Sequence, residues 1–96
     1  MILNGRVGQV LGPFAANVDL LAEGGAISDF TPETSAPIIE KLGIQTDVGN
    51  LIEINGVQIK IGKTGIYELD NRVAIKSLKF PNGANAETII DFVYWL

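Results

Sequence analysis

The chain is 96 residues long, 47% hydrophobic and 19% charged, with a formal net charge of −4. That length holds one domain (residues 1–96) with one modest core, and the acidic balance argues against nucleic acid, whose phosphates need clustered Lys and Arg. Cysteine and histidine are both missing, which excludes disulfides, thiolate chemistry and the commonest general base and metal ligand.

So much apolar content has little interior to hide in, and association with further copies or with a larger partner is the natural remedy. The plain alternative is a compact monomer with an ordinary share of exposed aliphatic atoms. No stretch of 18 apolar residues occurs, so no membrane-spanning helix is expected. The start, MILNGRVGQVLG, lacks a basic segment followed by a long apolar one and does not read as a signal peptide.

Residues 1–30 are punctuated by Gly5, Gly8, Gly12, Gly24, Gly25 and Pro13. Short strands and turns are expected there, over Val7–Leu11, Phe14–Ala22 and Ala26–Phe30. The middle piece has a helical alternative, since Phe14, Val18, Leu21 and Ala22 share a helix face. Residues 31–43, TPETSAPIIEKLG, predict a short helix at Ala36–Leu42. Thr31 or Ser35 would cap it, Pro37 would sit in its first turn, and Gly43 would end it.

Residues 51–96 predict an antiparallel sheet. Asn55-Gly56 between two alternating runs is the strongest short hairpin signal, because both central positions of a type I′ turn need positive φ. Ile54 then faces Val57 and Ile52 faces Ile59, and one face carries Ile52, Ile54, Val57, Ile59 and Ile61. Gly62-Lys63-Thr64-Gly65 reads as a turn, Ile66–Leu69 as a strand, Asp70-Asn71 as a turn and Val73–Phe80 as a strand broken by Pro81-Asn82-Gly83. Thr88–Leu96 is the last strand. Both its faces are largely apolar, so a central or doubly covered strand is expected.

Chemistry is hard to find along this chain. Gly62-Lys63-Thr64 invites comparison with a phosphate-binding loop, but the upstream position that needs glycine is Val57, and a strand pattern follows instead of a helix. The 11 carboxylates are scattered singly, no calcium-loop spacing is present, and Ser28, Ser35 and Ser77 have no base to activate them. Lys60, Lys63, Lys76 and Lys79 suit solvent-facing strand positions that discourage edge pairing. No enzyme activity, metal or cofactor is expected.

Asp91 interrupts the apolar last strand. It either pairs with a basic residue of a neighbouring copy or lies where one face meets water, the second being favoured. Tyr94 and Trp95 are of the types that dominate interface cores, and serve equally well in the chain's own core. Phe92, Tyr94, Trp95, Leu96 and Asp91 are therefore the interface candidates.

The stretch Ile59–Tyr94, with IKIGKTGIYELD, then AIKSLKF and a closing IIDFVY, resembles a module in structural proteins of tailed bacteriophages of Gram-positive bacteria. The resemblance is to tail, baseplate, appendage or capsid-decoration segments, and it implies an oligomerising β-module with no catalytic residue to carry over. The fold expected is mainly β, a small antiparallel sandwich or partly open barrel with one short helix. The function expected is a non-enzymatic virion component, made in the host bacterial cytoplasm, that binds copies of itself and a larger virion protein. A module recognising cell-surface carbohydrate is the alternative. Neither nucleic acid nor a membrane is an expected partner.

Overall fold

The computed structural model describes residues 5–30, 38–62 and 65–95. Among these described residues, seven strands and one helix follow in the order β1 (Gly5–Leu11), α1 (Ala26–Phe30), β2 (Ile38–Gln45), β3 (Leu51–Ile54), β4 (Val57–Lys60), β5 (Ile66–Ile75), β6 (Leu78–Lys79) and β7 (Ile89–Trp95). They form two antiparallel sheets that do not close into a barrel, so the mainly-β expectation holds. One sheet has strand order β1-β7-β2-β5 and the other β4-β3-β6.

The hairpin is as its spacing predicts. Asn55 and Gly56 have φ of 50° and 83°, and Ile54 faces Val57 while Ile52 faces Ile59. The apolar face is not buried along its whole length: Ile52 and Ile54 are buried, whereas Val57, at the turn, is 62% exposed. The Asn55 side chain adds a tie that the turn itself does not require. Its Oδ1 accepts from the backbone N–H of Lys76 (2.7 Å) and of Ser77 (3.1 Å), where the chain passes from one sheet to the other.

Ile38–Leu42, expected within a helix, belongs to β2; Ala36 and Pro37 lie outside the described residues. A bulge explains the misreading. The register of β2 shifts between Ile39 and Lys41, so the buried residues run Ile39, Leu42, Ile44. One extra residue turns a strand spacing of two into three, which imitates a helix face. The same irregularity overturns the Asp70-Asn71 turn. Asp70 faces Lys41 and Ile75 faces Ile39, so residues 71–74 remain within β5 and bow out across residue 40 alone. The strand expected at Val73–Phe80 is split, its first part in β5 and Leu78–Lys79 in the other sheet as β6.

The helix is at Ala26–Phe30, which the sequence pattern assigns to a strand. It is a single turn held from outside: the N–H groups of Ile27 and Ser28 donate to the Leu20 carbonyl at 3.0 and 3.2 Å. Phe14–Ala22 is neither helix nor regular strand. It runs as a strap along residues 78–84, with a bridge at Phe14↔Ala84 and N–H bonds from Asn17 to Phe80 and from Leu20 to Leu78, both 2.8 Å. Stacked rings of Phe14 and Phe80, 5.5 Å apart, fasten it, and Asp19 Oδ1 accepts from Leu21 N–H and Leu78 N–H.

One core cluster joins both sheets, the strap and the helix, with Ile27, Ile52, Leu78, Phe80 and Ile90 fully enclosed. Beneath it lies a polar tie, Thr46 Oγ1 to Thr88 Oγ1 at 2.9 Å.

Candidate interaction surface

β7 lies between β1 and β2, the central position expected of it. Its two sides differ. Ile90, Phe92 and Tyr94 point into the core, Phe92 at 2% and Tyr94 at 4% exposure. Ile89 and Val93 are half-buried and Asp91 is exposed on the opposite face. Among the described residues, the cover expected on both faces is present on one side only.

That outer face continues across the sheet. Register places Val7 beside Val93, Gln9 beside Asp91 and Leu11 beside Ile89, and Gly43 between Asp91 and Glu68. Val7 is 79% exposed, Leu11 58% and Ile66 51%. Contiguous apolar patches mark contact surfaces; on this face the aliphatic rows of Leu11 with Ile66 and of Val7 with Val93 flank the polar row of Gln9, Asp91 and Glu68. Gly43 leaves a notch there, since a Cβ at that position would meet nothing within 4 Å. The resulting open groove, about 380 Å³, is lined by Val7, Lys41, Glu68, Asp91 and Val93 among others. Gln9 Nε2 donates to Asp91 Oδ1 at 2.7 Å, so Asp91 lies where the strand meets water and is held within its own chain.

The interface candidates therefore divide. Asp91 is on the open face. Phe92 and Tyr94 belong to the chain's own core, in ring contact with each other and with Phe30. Trp95 pairs through its backbone with Gly5 and Ile38, and Leu96 lies outside the described residues. Val7, Gln9, Leu11, Lys41, Ile66 and Glu68 were not among the candidates. The alternation Val7, Gln9, Leu11 carried part of that signal, but which side of it is left open depends on β7.

A second, polar groove of about 600 Å³ runs between loops, lined by Phe14, Asp47, Asn50, Asn82 and Asn85 among others. Two of its side-chain amides are engaged within the chain: Asn50 Nδ2 donates to Thr46 Oγ1 at 3.0 Å and Asn85 Nδ2 to Asp47 Oδ2 at 2.7 Å. The Phe14 ring is buried against Phe80 and offers no open face for stacking. Among the described residues, no buried side-chain nitrogen or oxygen lacks a partner, and no three acidic side chains gather to hold a metal. No described helix is long and apolar enough to cross a membrane.

Comparison with protein-family models, with curated proteins and with solved structures found no match for this chain.

Proposed function

We propose that this chain is a non-enzymatic structural component of a bacteriophage virion, in a tail, baseplate, neck or capsid decoration. It works by binding copies of itself and a larger virion protein. The observation that carries the reading is the outer face of the β1-β7-β2-β5 sheet, where Val7, Leu11 and Ile66 are more than half exposed among polar Gln9, Lys41, Glu68 and Asp91 and no other described element covers them. Leaving such a surface in water is unfavourable at about 25 cal/mol per Å², and an assembly subunit covers it by docking. The resemblance of Ile59–Tyr94 to phage structural modules supplies the particle. The enclosed Phe14 ring, stacked on Phe80, weighs against the carbohydrate-binding alternative, which needs an open aromatic platform.

Immunogold labelling of particles produced by the phage or prophage that encodes the chain tests this reading. Labelling at one fixed place on the virion is expected. Particles that carry none of the chain would refute it.

A further inference from the structure

We infer that β1 is a self-pairing edge: two copies join β1 to β1 antiparallel about a two-fold axis through Gln9, merging two four-stranded sheets into one.

The backbone directions come from one bond. Gly12 N–H donates to the Thr88 carbonyl at 2.8 Å, and Gly12 opposite Thr88 continues the register that pairs Leu11 with Ile89. In an antiparallel ladder alternate residues direct their N–H and C=O groups to the same side. Arg6, Gly8 and Val10 therefore bond to β7, while Val7, Gln9 and Leu11 turn theirs outward. The close Gln9–Asp91 side-chain bond agrees, since side chains approach most nearly at the pairs without backbone bonds. No described strand lies on the outer side of β1.

The four edges are not equally open. Proteins blunt edge strands with charge, proline, bulges or brevity. On the other edges, β5 carries Glu68 and the register break, β4 carries Lys60, and β6 has two residues. β1 runs in unbroken register for seven residues, without proline, and its only charge, Arg6, is near one end.

A second copy is the occupant because β1 is complementary to itself. With the axis at Gln9, Val7 faces Leu11 of the second copy and Leu11 faces Val7, so each exposed aliphatic side chain lies against the other on one face of the joined sheet. The Gln9 amides face each other, each with an oxygen and a second N–H besides the one given to Asp91. No like charges are opposed, and the interface is isologous as a two-fold requires. A single strand pair is small beside the roughly 1,200–2,000 Å² of stable complexes, so the dimer dissociates on dilution.

This inference rests on the self-association part of the proposed function and not on the virion, and the test separates the two. The full chain is examined by sedimentation velocity over a concentration series, beside Gln9→Pro. Proline removes an N–H that bonds nothing in β7, and edge strands tolerate it there. A reversible wild-type dimer is expected. The loss of two intersubunit bonds in Gln9→Pro raises its dissociation constant by about tenfold or more.

Single-cysteine variants, in a chain with no cysteine of its own, test the register even if the proline variant does not fold. Residues at the axis lie about 5.5 Å apart between Cα atoms, within disulfide reach. The two Val7 positions are about 14 Å apart, beyond it. Mild oxidation should cross-link Gln9→Cys rapidly, and Val7→Cys no faster than the exposed loop variant Val48→Cys. A dimer unaffected by Gln9→Pro, or Val7→Cys linking as fast as Gln9→Cys, overturns the edge while leaving self-association in place. A monomer at every concentration overturns both.

Discussion

Gly8 and Phe92 are cross-strand partners, and the Phe92 ring lies over the space that any Gly8 side chain would fill. A Cβ on Gly8 would come within 2.5 Å of Phe92 Cε2, closer still to Cζ, and 2.8 Å from Phe30 Cε1. Phe30 is partly exposed and can swing aside. Phe92 cannot, because it is enclosed and packs edge-on against Phe30, with ring centres 5.5 Å apart. Gly8→Ala is therefore an overpacking change costing about 1–3 kcal/mol, offset by roughly 0.5–1 kcal/mol from replacing glycine within a strand. The net loss is up to about 2.5 kcal/mol, and each kcal/mol lowers Tm by about 4–8 °C in a domain of this size. Phe92→Leu removes the offending ring atoms and is destabilising alone. The pair Gly8→Ala/Phe92→Leu should recover about 1 kcal/mol or more relative to the sum of the single changes. Urea denaturation of the four proteins closes the cycle. Additivity within about 0.5 kcal/mol would refute the packing, and with it the β1–β7 register.

Other ties give separate expectations. Asn55→Gly keeps positive φ but loses the two bonds to Lys76 and Ser77, so it should cost about 1–2 kcal/mol by chemical denaturation; Asn55→Ala should cost about 1–2 kcal/mol more, for the left-handed backbone. Thr88→Val should cost about 1 kcal/mol. Its effect should shrink in a Thr46→Val background, where the hydroxyl pair is already broken. Asp19→Ala should lower stability by about 1–2 kcal/mol through release of Leu21 and Leu78 N–H, and Asp19→Asn, which keeps the oxygen acceptor, should lose less.

What could be seen in the sequence was whatever depended on neighbours. Asn55-Gly56 and the alternation around it are local, so the hairpin and its facing pairs were legible. β2 was not, because the bulge opposite residues 71–74 put Ile39 and Leu42 three apart and Gly43 looked like a helix stop. The turn of helix at Ala26–Phe30 was hidden for another reason: its first N–H groups are satisfied by Leu20, so its stability is tertiary. The enclosed positions of Phe92 and Tyr94 and the open ones of Val7 and Leu11 share one cause. β7 inserts beside a strand some 80 residues earlier, and that pairing decides which face of each strand is covered.

Amide hydrogen exchange of the full chain, resolved by residue and repeated from dilute to concentrated solution, tests the self-pairing edge most directly. Protection of Gly8 and Val10, whose N–H groups bond to β7, should be high throughout. Val7, Gln9 and Leu11 should exchange rapidly in dilute solution and become protected together as concentration rises, in step with the sedimenting dimer. Rapid exchange of those three amides at every concentration would contradict the account.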